Sequence, residues 1–248
     1  MPTSWDAKTY DRSSQPQQAW AAEVLERLRV RGIAPNARVL DVGCGTGRVT
    51  EALTTIVPQG TIVAIDASQA MVELARERLG ARARVLCQDA LELELDEPVD
   101  AIVSTATLHW VTDHERLWRR LAGVLRDGGM LEIQCGGEGN IDAVRATIDR
   151  VASELEPQLL GFCPWEFASP AETESRLRSA GFGDARCWLE PRPTHPPDPA
   201  AFIPTSILAA HLERIEPERR ERFATAVVEA VALPLDYVRL NVSATKSH

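Results

Sequence analysis

From residue 38 to about residue 135, short apolar runs alternate with amphipathic stretches rich in Ala, Glu and Arg. That alternation is the pattern of βαβ units, in which strands buried on both faces are joined by crossover helices. It predicts strands over residues 38–42, 61–65, 84–87, 99–104 and 130–134. Helices are expected between them over residues 48–57, 69–79 and 114–125, where apolar positions recur at helical spacing, and Ser68 stands where the second would be capped. Asp127-Gly128-Gly129 is expected to stop the third helix and turn the chain into the fifth strand. Ahead of this core, residues 15–31 read as a helix with Trp20, Val24, Leu25 and Leu28 towards one side.

After residue 135 the character changes. Gly136-Gly-Glu-Gly139 reads as a flexible link, 141–155 as a helix, and Gly161-Phe-Cys-Pro-Trp-Glu-Phe167 as an irregular aromatic loop. Residues 170–180 form a further helix closed by Gly181, and 185–189 a strand. The proline-rich run 191–199 is too rich in Pro for a helix and reads as a rigid extended connection. Helices over 202–215 and 217–231 precede an alternating run, 235–243, that suits a last sheet strand. The expected fold is α/β: a Rossmann-like, doubly wound sheet, mostly parallel with an antiparallel last strand, plus helical lid segments. Within that single domain, residues 1–37 would form an amino-terminal lid segment, 38–135 the ligand-binding core, and 136–248 the lid and substrate helices with the final strands.

A chain of 248 residues with 44% hydrophobic composition can bury a substantial core. Its net charge of −9 disfavours an extended phosphate-binding surface, so a small-molecule partner is expected rather than nucleic acid. No apolar run approaches the ~20 residues of a membrane helix and the amino terminus lacks a signal-peptide pattern, which together suggest a cytoplasmic protein. The five cysteines are scattered without metal-ligand spacing, so reduced thiols and no metal are expected. Oligomeric state is not legible.

The chemistry concentrates in Asp41-Val-Gly-Cys-Gly-Thr-Gly47, an apolar strand running into a turn with glycine at alternate positions. Glycines strip side chains from the carboxyl end of a strand, where open α/β sheets bind ligands. Asp66 closes the next apolar run 19 residues beyond Gly47, about where such folds place a ribose-binding acid. The spacing Gly-x-Gly-x-Gly differs from the dinucleotide Gly-x-Gly-x-x-Gly. An acid beside the turn also suits a cofactor with cationic groups better than a pyrophosphate.

With Gln88-Asp89-Ala90 and Leu-Arg-Asp-Gly-Gly-Met-Leu131, this ordered set resembles the class I S-adenosylmethionine-dependent methyltransferases over residues 38–135. Trp5 to Tyr10, the Leu108-His-Trp-Val111 stretch and Trp165-Glu-Phe167 resemble, more loosely, the trans-aconitate methyltransferase-like branch. The resemblance implies S-adenosyl-L-methionine as cofactor. It places the methionine portion at Asp41, Gly43, Cys44, Gly45 and Gly47, the ribose hydroxyls at Asp66 beside Ala67 and Met71, and the adenine at Asp89 and Ala90. Thr105 and Leu108 would lie beneath the cofactor, and Tyr10 would approach it from the lid. His109 and Trp110 become the catalytic candidates. His109 would be a general base or a polar substrate contact, or equally a capping or packing residue, and Trp110 a pocket wall.

The implied reaction is methylation of a small molecule, most simply the carboxyl oxygen of an organic acid held by an arginine such as Arg12, Arg145 or Arg239. The alternative is O-, N- or C-methylation of a natural-product-like acceptor, with His109 or His211 as base. A nicotinamide-dependent oxidoreductase and a non-catalytic cofactor-binding protein are readings of a different class.

Overall fold

The computed structural model describes residues 15–248, with side chains from Ala19 onward. Its elements in chain order are α1 (Gln15–Val30), β1 (Arg38–Val42), α2 (Arg48–Ile56), β2 (Thr61–Asp66), α3 (Gln69–Leu79), β3 (Arg84–Cys87), β4 (Val99–Thr105), α4 (His114–Val124) and β5 (Leu125–Gly136). There follow α5 (Asp142–Leu155), α6 (Pro170–Ser179), β6 (Arg186–Pro191), α7 (Pro199–Ser206), α8 (Ala209–Leu212), α9 (Pro217–Ala230) and β7 (Val238–Thr245). The seven strands form one sheet in the order β3-β2-β1-β4-β5-β7-β6. The pairings among β1 to β5 are parallel, whereas β7 runs antiparallel to both β5 and β6. The expected doubly wound sheet with an antiparallel last strand is therefore the observed one, although β6, not β7, forms its edge. No described helix is long and apolar enough to cross a membrane.

The chain reverses its winding between β1 and β4, so their carboxyl ends diverge and leave a crevice. Both faces of the strands are buried, which is why they read as continuous apolar runs. Leu40, Val42 and Ile102 pack with Leu117, Trp118 and Leu121 of α4. Val39, Ala101 and Val103 pack on the opposite face with Val24 and Leu28 of α1 and Leu53 of α2.

Against β5 and β7, α1 docks through charge. Glu132 is fully buried and accepts from Arg27 Nε at 2.8 Å, Arg31 at 2.7 Å and Ser243 Oγ at 2.6 Å. Arg27 also donates to Asn241 and to the Ile133 carbonyl. A buried carboxylate is tolerable when this many donors surround it, and the geometry they demand sets the rotation of the helix. That rotation carries Trp20, about two turns upstream of Arg27, over Arg239 and Tyr237 at the end of β7.

Three expectations are corrected. Asp127-Gly128-Gly129 does not turn into a new strand: β5 starts at Leu125, pairs with Val99, bulges, and resumes at Met130 opposite Ala101. Gly128 takes φ +74°, and Lys246 at the end of β7 exchanges main-chain hydrogen bonds with Gly128 and Gly129. The bulge thus has hydrogen-bond partners that local pattern cannot reveal. The helix expected over 202–215 breaks into α7 and α8: Pro204 lies inside α7, and the amides of Ile207 and Leu208 both converge on the Ile203 carbonyl. Finally, the run 136–139 is not a loose link. A Cβ on Gly136 would lie 2.6 Å from Phe167, and one on Gly137 2.6 Å from Leu189.

Candidate active site

The glycine turn leaves β1 with Gly43, Gly45 and Gly47 all at positive φ, the left-handed region that side chains resist. The three have different neighbours. A Cβ on Gly43 would sit 2.1 Å from Thr107, so this glycine exists to let the β4 loop approach. One on Gly47 would press on Ala75 and Leu79 of α3, whereas one on Gly45 would meet open space. The turn is pinned to β2, since the amides of Gly43 and Cys44 donate to the Ile65 carbonyl at 2.8 and 2.9 Å. Asp66 completes it: one carboxylate oxygen accepts from the Gly45 amide and the other from the Ser68 amide, each at 2.9 Å.

Asp41 lies under the turn, 1% exposed. Its Oδ2 accepts from Thr50 at 2.6 Å, while its buried Oδ1 has no partner among the described residues. Burial, opposed by the Thr50 hydrogen bond and reinforced by the charge of Asp66, raises its pKa to about 7. Asp66 is likewise raised by burial, against the two amides that stabilise its charge. Two carboxyl groups held above their usual range, one with an unused acceptor, form a site short of positive charge.

A few residues away, the end of β4 opens a second space. Ala106 takes φ +55°, and Thr107 Oγ1 donates towards the Gly43 carbonyl at 3.1 Å and the Thr105 carbonyl at 3.0 Å. Leu108–Trp110 then form a single 3-10 turn, steadied by His114 Nε2 on the Leu108 carbonyl at 3.1 Å. Beyond it lies a small chamber with about 30 Å³ of free space, lined by Ala106, His109, Trp110, Trp165, Phe167 and, from distant chain, Arg239. Trp165 and Phe167 stack with an 11° interplanar angle, and Phe167 stacks in turn on His109. The Glu166 amide donates to the His109 carbonyl at 2.8 Å, which fastens the aromatic loop to the β4 end. Arg239, only 1% exposed on β7, places its guanidinium carbon 4.6 Å from the Trp20 ring centroid and 5.9 Å from that of Tyr237.

His109 is 7% exposed, and its Nδ1 accepts from the Gly136 amide at 3.3 Å. An amide can only donate, so the ring's proton sits on Nε2. Burial first, then the charges of Arg239 and His114, hold its pKa well below the ordinary histidine value. The ring is therefore neutral, with a hydrogen-bond donor to offer and no available base nitrogen.

A family model described as a methyltransferase domain matches residues 39–129. The chain is 31% identical over 185 residues to trans-aconitate 2-methyltransferase of Methylobacterium nodulans, covering 75% of this chain and 67% of that protein. It is 30% identical to malonyl-[acyl-carrier protein] O-methyltransferase of Geobacter sulfurreducens, over 79% of this chain and 74% of that one. The chain belongs to the S-adenosylmethionine-dependent methyltransferases. Against further relatives of the same two kinds, the match spans only 55–62% of their length. The fold is also that of Haemonchus contortus phosphoethanolamine N-methyltransferase 2 bound to S-adenosylhomocysteine. There the TM-score is 0.60 at 18% identity, over 92% of this chain and 53% of that one.

The residues of this methyltransferase fit its cofactor. The unused Asp41 Oδ1 and the side-chain-free space at Gly45 can take a cationic amino-acid tail, and Asp66 has lone pairs left for a diol. Asp89 is exposed after β3 and caps the 3-10 turn at Ala90 by accepting from the Leu91 amide at 2.8 Å. Ala67 is exposed beside Asp66, and Met71 is buried on α3. Cys44 packs with Ala64, Val72 and Ala75, its Sγ lies 3.7 Å from the Gly45 carbonyl, and burial raises its thiol pKa well above the usual value. Thr105 is half-buried. Leu108 is closed inside the main core. Tyr10 and Arg12 fall outside the described residues. Arg145 is a surface residue paired with Asp142, and His211 is buried against Phe162 and Trp165 without lining the chamber.

Sequence reasoning missed Asn140, Ser206 and Tyr237. Asn140 accepts from the Val238 amide at 2.9 Å, clamping the ends of β5 and β7 beside the chamber. Its position after a glycine run was the available signal. Ser206 and Ile207 line the chamber because the chain breaks after α7, and only the internal Pro204 hinted at that.

Proposed function

We propose that this methyltransferase esterifies the carboxylate of a small organic acid. The observation that carries the reading is the meeting of a buried guanidinium, Arg239, and a neutral donor, His109, in one aromatic-walled chamber at the end of β4. The positive charge of Arg239 would draw the carboxylate in and His109 Nε2–H would hold one of its oxygens, while the stacked rings exclude water. Bound at the glycine turn, with Asp41 towards its amino group, Asp66 at the ribose and Asp89 at the adenine amine, S-adenosyl-L-methionine supplies a methyl group already activated as a sulfonium.

Transfer to a carboxylate forms one O–C bond, breaks one S–C bond and releases no proton, leaving an ester and a neutral thioether. The chain need not supply a base, which agrees with a histidine whose free nitrogen is already protonated. Alignment alone can contribute about 7–11 kcal/mol to such a reaction. The trans-aconitate and malonyl-[acyl-carrier protein] O-methyltransferases it resembles support the same acceptor chemistry. Incubation with a panel of carboxylic acids, phenols and amines, reading methyl products by mass spectrometry, tests the reading. Methyl esters are expected; methylation confined to phenols or amines would overturn it.

A further inference from the structure

A closed circuit of hydrogen bonds joins the 3-10 turn after β4, the start of α4, the aromatic loop and α6. The Leu108 carbonyl can only accept, so His114, 3% exposed, carries its proton on Nε2 and donates there at 3.1 Å. Its Nδ1 keeps a lone pair and accepts from the Arg176 guanidinium at 3.3 Å. The same guanidinium donates to Glu166 Oε1 from both terminal nitrogens, at 3.2 and 3.3 Å. The circuit closes where the Glu166 amide meets the carbonyl of His109, the residue after Leu108. One planar fork of donors thus serves acceptors on two separate segments, which a point charge does less well. Local sequence puts Arg176 in place. Ser169 and Glu172 form a reciprocal capping box that fixes where α6 begins, and Arg176 follows about two turns later. Glu174 accepts from the Cys187 amide at 2.9 Å and docks the helix on β6. The charges facing His114 are Arg176 and Glu172 on α6, Glu166 on the aromatic loop and Asp113 at the start of its own helix, with neutral His109 beside it. Burial foremost holds its pKa below the usual histidine value, which keeps Nδ1 free to accept.

We propose that Arg176 is a positioning residue for methyl transfer: acting through His114 and Glu166, it holds the His109 turn and the Trp165–Phe167 wall in the arrangement that receives the acceptor. This rests on the reading that the acceptor meets the chain at His109, and not on which acceptor atom is methylated. Alignment is the chain's main contribution to transfer from a sulfonium, so loosening this circuit should slow the reaction without loosening the cofactor.

The test is Arg176→Ala in the full chain, with Arg178→Ala as a control that removes an equal charge from an exposed position on the same helix. Amide hydrogen exchange at Glu166 should accelerate by about 10-fold or more, while amides of β1 and β4 keep their rates. Ring nitrogen shifts should show His114 as the Nε2–H tautomer in the parent. In the variant it should titrate at higher pH, because the guanidinium that opposed its charge is gone while Asp113 and Glu166 remain. For whichever acid, phenol or amine of the panel is methylated, kcat should fall by about 10-fold or more, with affinity for S-adenosylhomocysteine held within about 2-fold. Glu166→Gln, which keeps the acceptor oxygen and the main-chain amide but not the charge, should show the same local pattern at smaller size, and it carries the test if Arg176→Ala fails to fold. Unchanged exchange at Glu166 and unchanged kcat would overturn the proposal. So would faster exchange across the whole sheet or an equal loss of cofactor affinity, since either would make the role one of general stability. Products from phenols or amines alone would sink the carboxylate reading, while the exchange and nitrogen-shift measurements would still decide the role of Arg176.

Discussion

The glycine turn and the aromatic chamber lie side by side at the switch point yet are built in opposite ways. The turn is local: Asp41 to Gly47, with Asp66 added from the neighbouring strand, held mainly by main-chain hydrogen bonds. The chamber is assembled from side chains on α1, the β4 loop, the aromatic loop, the break after α7, and β7. Backbone geometry tolerates almost no substitution at its special positions, whereas a wall of side chains can be repacked. A shared cofactor and a variable acceptor are what such a division allows. Between them Thr107, on the loop that leads into the chamber, donates to the Gly43 carbonyl.

Breaking that contact should have the largest effect. Gly43→Ala places a Cβ 2.1 Å from Thr107 at φ +72°, and backbone strain with overpacking should cost about 4 kcal/mol of stability. Denaturant unfolding checks this; a loss under about 1 kcal/mol would mean that the two regions are less tightly fitted than described.

Arg239→Gln should separate the regions functionally. Acceptor kcat/KM should fall by about 100-fold or more, with the affinity for the demethylated cofactor little changed. Equal losses in both would place Arg239 in the cofactor half.

The third prediction sharpens the contrast through pH. Burial lowers the pKa of His211, behind the aromatic wall, from 6.5 to about 4. Its folded pKa lies below its unfolded one, so as pH falls the unfolded chain takes the proton first. The stability is complete above pH 6.5 and lost as pH falls towards 4, by roughly 3 kcal/mol. His109 and His114, both lowered, act in the same direction. In His211→Gln the acid limb of a stability–pH curve should be shallower; an identical slope would remove His211 from the account.

The smallest effect is reserved for His109→Gln, which retains a side-chain donor. A decrease of about 10-fold is expected, with no histidine inflection in the kcat/KM profile of the parent enzyme above pH 6.5. A decrease of about 10³-fold with such an inflection would restore the general-base role.

Legibility follows the same line. The strands and Asp66 could be placed from pattern because βαβ spacing is a property of consecutive residues. The Asp127-Gly128-Gly129 segment misled because its hydrogen bonds are made by Lys246, and the run from Gly136 to Gly139 because Phe167 and Leu189 close on it. Among the three arginines considered for the acceptor, nothing in local context favoured Arg239.

The sequence by itself determined the sheet, the glycine turn and its acids, since each depends on backbone conformations that neighbouring residues dictate. Only the tertiary structure decided which arginine is buried, which nitrogen of His109 holds the proton, and that five aromatic rings share one wall. Those outcomes depend on contacts between residues far apart in the chain, made once β5 and β7 pair and the buried Glu132 orients α1 across them.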